Sequence, residues 1–193
     1  GIVPDFHMEM ENVELVYDLL KEKTEKYDTE NICLVGSTTI DPRVKSLFPN
    51  RVLFFRQVLA SWEIFSLGEN SGLYEVGPTV TNAGFSFAEE IGCPEIYLFG
   101  VDYGSRRRDQ HHAKDSDYRP GGKADYSDDL DLEHPGNFGG IIYTHGVFIW
   151  ARSAVEQCIR RFRRGRNFYN CSDGMLIDGA VPKASKTISL PED

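Results

Sequence analysis

The sequence predicts an α/β fold, Rossmann-like, with a mostly parallel sheet and helices on both faces. Short apolar runs alternate along the chain with amphipathic stretches of helical period, the pattern of strands joined by crossover helices. The run EIYLFGVDY, beginning at Glu95, has an unbroken apolar centre that needs cover on both faces, as a central parallel strand does. At 193 residues and 40% hydrophobic content, the chain suffices for one sizeable core, so a single domain over residues 1–193 is expected.

The elements follow in order. After IVPDFHMEME, Asn12 is placed to cap a helix running through Tyr27, with Val13, Val16, Leu19 and Leu20 on one face. ICLVGS from Ile32 reads as a buried strand and RVLFFRQ from Arg51 as another. Between them, TTIDPRVKSLF holds a short helix closed by Pro49. GLYEVGPTVTNAGFSFAEEIG turns at Gly-Pro into a helix whose Phe87, Ala88 and Ile91 face inward and which Gly92 terminates. A long helix then covers HGVFIWARSAVEQCIRRFRRG, with Phe148, Val155, Ile159 and Phe162 on one stripe. Its terminal Arg160, Arg161, Arg163 and Arg164 suit the negative end of a helix dipole. RNFYNCS reads as the final strand, and the stretch after Ala180 as a loose end.

Composition narrows the function. A net charge of −9 argues against a duplex nucleic-acid partner, which calls for a basic footprint. No apolar run nears the ~18 residues that a membrane helix needs, so no membrane partner is expected. Cys33, Cys93, Cys158 and Cys171 are widely spread, which writes neither a zinc site nor a redox motif. Reduced thiols in a cytoplasmic protein are expected.

In an open parallel sheet, ligands bind beyond the carboxyl ends of the strands, where helix N-termini point free N–H groups into the crevice. Asp102 lies at one such end, and Thr79, Thr81 and Asn82 at another. If these two strands are neighbours, both sets line one crevice. Gly104 to Gly140 shows no periodic element, and a connection so long favours an active-site lid. Within it His111 and His112 can titrate near neutrality, Tyr118 can donate to a phosphate, and Arg106, Arg107 and Arg108 can attract an anion. Structural roles compete for the same residues. Asp102 can cap a turn, Thr79 and Thr81 can cap a helix, the Arg triplet can be a solvated face, and His145 can cap, pack or act.

VGPTVTNAGFSFAEEIGCPEIYLFGVDYG, then HHAKDSDY, PGNFGG, and FYNCSDG with LIDGAVP, in this order and spacing, resemble the central domain of the motility accessory factor (Maf) proteins of the MptE-like superfamily. The similarity takes in the GIVPDFHMEMEN start and covers nearly the whole chain. It implies a glycosyltransferase moving a nonulosonic acid, such as pseudaminic or legionaminic acid, from a CMP-activated donor to Ser or Thr of flagellin. Such a core is similar to bacterial sialyltransferases, which implies a single inverting displacement without metal and no cofactor beyond the CMP-sugar. The resemblance also implies a piece of a longer protein, lacking the first βα unit of its sheet. An edge left unpaired in that way favours self-association.

Carried over by position, the resemblance implies donor contacts at Gly77, Thr79, Thr81, Asn82, Gly100 and Ser116, nucleotide or acceptor contacts at Asp102, and places Asp102 and Tyr118 among the catalytic groups with His112 and His145. His112 matches the loop His of the Maf proteins. The base of the sialyltransferases lies nearer the following helix, which makes His145 the competing candidate. Two alternatives stand beside this reading. A 6-hydroxymethylpterin diphosphokinase would use ATP and Mg²⁺, with Glu9, Glu11 and Asp102 as possible ligands. A non-catalytic flagellin-docking module would need no titratable His beside a Tyr and an Asp.

Overall fold

The computed structural model describes residues 3–56, 72–110 and 130–189. The chain forms two compact units, Gly1–Gly84 and Phe85–Asp193. No helix among the described residues is long and apolar enough to cross a membrane. The four cysteines are free thiols.

The first unit is a four-stranded parallel sheet in sequential order: β1 (Phe6–Glu9), β2 (Cys33–Ser37), β3 (Asn50–Arg56) and β4 (Gly72–Leu73). Helices α1 (Glu14–Thr24) and α2 (Pro42–Lys45) cover one face, where Val16, Leu34, Ile40, Val44 and Phe48 form a buried cluster. The alternation of the strand explains the choice: Leu34 faces this cluster, and Val35 the other side. Met8 stands beside Val35 in register, and Gly84 of the next helix lies against it. β2 is thus covered on both faces, while β3 leaves Val52 and Leu53 exposed.

The α1 start differs from expectation. Val13, not Asn12, is the capping residue, and it makes no side-chain cap bond. The chain stays extended through Val13, so its side chain is exposed and leaves the buried face to Val16. α2 follows the sequence closely: Asp41 accepts from the Arg43 N–H at 2.9 Å and Pro42 opens the helix, where its missing N–H costs nothing.

Helix α3 (Val80–Glu90) holds the boundary between the units. Its buried residues are Asn82, Ala83, Phe85, Ser86 and Glu89, while Phe87 and Ala88 are half-buried and Ile91 is exposed. The reason is the helix end. Gly92, at φ +85°, closes a left-handed cap in which its N–H bonds to the Glu89 carbonyl and that of Cys93 to Ala88, carrying Ile91 out of the stripe.

In the second unit, β5 (Glu95–Leu98), β8 (Asn167–Asn170) and β9 (Val181–Pro182) form a parallel sheet, beside an antiparallel pair of β6 (Leu132–Pro135) and β7 (Ile141–Thr144). Three expectations change. β5 stops at Leu98, because Gly100 (φ +66°) and Tyr103 (φ +50°) leave extended geometry. β6 lies inside the stretch read as lacking periodic structure. The segment after Ala180 is not wholly loose: Val181 and Pro182 pair with Tyr169 and Asn170, and a 3-10 turn follows at Ser185–Thr187. Helix α4 (Gly146–Phe162) matches its predicted stripe, with Val155 and Ile159 buried and Phe148 and Phe162 half-buried.

Glu89 is fully buried at the end of α3, and Arg166 reaches it with one guanidinium nitrogen while also donating to its carbonyl at 2.9 Å. Burial pushes the Glu89 carboxyl above the ordinary range despite the opposing pull of Arg166. Removing the cation in Arg166→Gln should therefore cost about 3 kcal/mol, as expected when a buried charge loses its partner. A carboxyl with a raised folded pKa stabilises below its unfolded pKa, and this contribution is lost as pH rises through the folded value. The Tm deficit of the variant should accordingly be smaller near pH 4 than at pH 8, and adding Glu89→Gln should recover part of it. Equal deficits at both pH values would exclude Glu89 as the cause.

Candidate functional site

The loops after β5 and β8 are tied into one structure. The Val101 N–H donates to Ser172 Oγ at 2.7 Å, and the Ser172 hydroxyl donates to the Leu98 carbonyl at 3.3 Å. The Met175 N–H donates to the Asp102 carbonyl at 2.8 Å, a close approach that only glycine at 174 permits, since a Cβ there would lie 2.2 Å from the Asp102 backbone. The turn between β6 and β7 closes the group. Asn137 Nδ2 donates to the Asn170 and Ser172 carbonyls, both at 2.9 Å, and its backbone N–H donates to Gly174 at 2.8 Å.

Asp102 is held at the centre of this network. Its side chain is open to solvent, yet loss of hydration and then the nearby Asp173 carboxylate raise its pKa above the ordinary range. Gly100 before it and Tyr103 after it are both left-handed; for a buried Tyr this is a strained conformation, fixed in part by the Thr144 hydroxyl, which donates to the Tyr103 carbonyl at 2.7 Å. His145 follows Thr144 directly. Its Nδ1 accepts from the Val147 N–H at 3.3 Å as the N-cap of α4, and its ring lies 4.2 Å from that of Phe148. With Nδ1 accepting, the proton of the neutral ring sits on Nε2.

Gly77, Thr79, Thr81 and Asn82 lie in the first unit, where β4 pairs with β3, and Asp102 in the second, where β5 pairs with β8. In the first unit, Gly77 is buried before a cis Gly77-Pro78 bond. The Thr79 hydroxyl donates to buried Asn82 Oδ1 at 2.7 Å, a local cap that opens α3. Thr81 is half-buried in the first turn. Glu9, at the end of β1, turns Oε1 back to accept from the Met10 and Glu11 N–H groups at 2.7 Å each, and burial raises its pKa. Groups of three or more His, Cys, Asp or Glu side chains suited to a metal are absent among the described residues.

His111, His112, Ser116 and Tyr118 lie outside the described residues. The Arg triplet before them is committed to carboxylates: Arg106 to Asp173, Arg107 to Asp109, and Arg108 to Glu133 while lying over the Tyr143 ring. Arg106 also donates to the Gly139 carbonyl at 2.8 Å, which fastens the β6–β7 turn to the loop after β8.

A protein-family profile described as 6-hydroxymethylpterin diphosphokinase MptE-like matches residues 1–108. The chain belongs to the MptE-like family. Among solved structures, this MptE-like chain is similar to the Maf glycosyltransferase from Magnetospirillum magneticum AMB-1, at 39% sequence identity over 98% of the chain and a TM-score of 0.81. The chain spans 28% of that protein's length. No curated protein matches it.

These findings bear out the resemblance read from the motifs, and the network gives two of the motifs a physical meaning. PGNFGG supplies Asn137 and the Gly139 carbonyl, and FYNCSDG supplies Asn170, Ser172, Asp173 and Gly174. Sequence reasoning gave none of these residues a role. The available signal was their type: small or amide residues clustered just beyond strand ends, where loop carbonyls need donors.

Gly174→Ala in this MptE-like chain should destabilise the fold by about 3 kcal/mol, because the new methyl meets backbone rather than a mobile side chain. Urea titration measures this. Asp102→Asn should act oppositely with pH. A raised folded pKa means stability lost as pH rises through it, so the Tm advantage of the variant should grow from pH 4 to pH 7.

Proposed function

We propose that this chain is the glycosyltransferase domain of a Maf-type protein and transfers a nonulosonic acid from a CMP-activated donor to Ser or Thr of flagellin. The observation that carries this reading is the 39% identity, over 98% of the chain, to a Maf glycosyltransferase. The motif order narrows the donor and acceptor. The cytoplasm is the compartment, since flagellin must be modified before export.

The reaction is a single inverting displacement. The acceptor hydroxyl oxygen bonds to the anomeric carbon as the bond from that carbon to the CMP phosphate oxygen breaks, and the departing phosphate keeps the electron pair. The hydroxyl proton passes to a base. His112 is the assigned base. His145 remains the competitor, but its cap geometry, with Nδ1 occupied, suits Nε2–H to donate toward the leaving phosphate. Asp102 serves acceptor or nucleotide positioning, supported by the rigid loop that carries it, and Tyr118 and Ser116 serve the phosphate. Gly77, Thr79, Thr81, Asn82 and Gly100 serve the donor. The metal-independent route leaves the charge to these donors.

The family profile over residues 1–108 supports a second reading, a pterin diphosphokinase with ATP and Mg²⁺. The turned-back Glu9 carboxylate weighs against that role for it. Calorimetry on the chain in its longer protein should show CMP binding without metal. Binding of ATP only with Mg²⁺, and no CMP binding, would replace the transferase with the kinase. Silence from both nucleotides would favour a docking module. Intact-mass measurement of flagellin should show glycosylation rates lowered about 10² to 10⁴-fold in His112→Ala. Unchanged glycosylation in both His112→Ala and His145→Ala would overturn the assigned roles.

A further inference from the structure

A concave site lies at the opposite end of β8 from the Asp102 loop. Arg160 and Arg163 from the end of α4, Arg166 before β8, and Asp178 before β9 line a cavity of about 280 Å³, with Ile159 and Phe168 as an apolar wall. The dipole of α4 explains cations in its last turn, but not three guanidinium groups converging on one cavity.

The charges there are unequally satisfied. Arg166 is committed to Glu89. Arg160 approaches Asp178 only to 4.0 Å, with both side chains more than half exposed, and such a pair is worth little. Arg163 meets no carboxylate within ion-pair distance among the described residues. Two guanidinium charges therefore face one loosely held carboxylate and the half-charge of a helix C-terminus. The cavity stays positive in a chain whose net charge is −9.

We propose that this cavity binds a small phosphate-bearing anion, through forked N–H groups of Arg160 and Arg163 that displace Asp178 from Arg160. Guanidinium geometry matches phosphate oxygens in pairs. The volume stands near the lower end of the ~300 to 1,000 Å³ typical of ligand sites, which suits a phosphate or a sugar phosphate better than an extended nucleotide. Asp178 acts as a resident competitor. Its backbone N–H is fixed on Glu156 Oε1 at 2.9 Å, so its own removal alters charge without freeing the loop.

The test uses the 193-residue chain at low salt, titrated separately with inorganic phosphate and ribose 5-phosphate and read by ³¹P line shift and calorimetry. Binding is expected to weaken with added salt and to fall at least about tenfold in Arg160→Gln/Arg163→Gln, whose Tm should match the parent because both side chains are exposed. Asp178→Asn should tighten it severalfold. A preference for ribose 5-phosphate would identify a phosphomonoester as the ligand, and equal binding of both probes would identify phosphate itself. No binding of either probe at about 20 mM, or binding unchanged in the double Arg variant, overturns the proposal. The CMP experiment leaves this result untouched, since the site shares no residue with the donor set.

Discussion

A loop that leaves a strand end and turns back across its neighbours carries carbonyls and N–H groups that water no longer reaches, and each must find a partner. In the second unit this constraint is met by amide and hydroxyl side chains. Ser172 serves both the Val101 N–H and the Leu98 carbonyl, and Asn137 serves the carbonyls of Asn170 and Ser172. Everything else there follows. Gly174 is small because the Asp102 backbone lies against it, and Tyr103 tolerates its left-handed φ because Thr144 holds its carbonyl. Asp102 is thus carried by a scaffold that the chain itself fixes.

The first unit answers the same constraint differently. Its parallel ladder satisfies the strands, and side chains serve the loops and helix starts: Glu9 accepts from the two N–H groups just past β1, Asp41 opens α2, and Thr79 with Asn82 closes the start of α3. The residues placed by motif at a donor crevice are therefore also structural. A carboxylate or amide that makes local bonds is not barred from a ligand, but any contact must compete with those bonds.

Much of the fold was legible because burial imposes a period. Leu34 and Val35 announce a strand covered on both faces, and Val155 and Ile159 a helix stripe, whatever lies around them. The misses have local causes. β6, with sequence LEHP and mostly exposed, offers no alternation to detect, and β9 is two residues long, held by its pairing to β8 rather than by any pattern of its own. β5 ended early through backbone handedness, which side-chain hydrophobicity does not report. The Asp102 loop could be placed at a strand end from sequence alone. Its partners could not, because Ser172 stands 71 residues from Val101 and only the fold brings them together.

Strand order also governs how the chain can assemble as it leaves the ribosome. β1, β2 and β3 are neighbours in both sequence and space, so each finds its ladder partner soon after its own synthesis. Among the described residues, β5 pairs with no strand so near in sequence. Asn167, opposite Glu95, follows it by 72 residues, a wait of roughly 4 to 14 s at common elongation rates. During that interval Ile96 and Leu98 lack the strand that later shields them. Nascent chains that have released β5 but not yet β8 are consequently the ones in which Ile96 and Leu98 are there for a chaperone to hold.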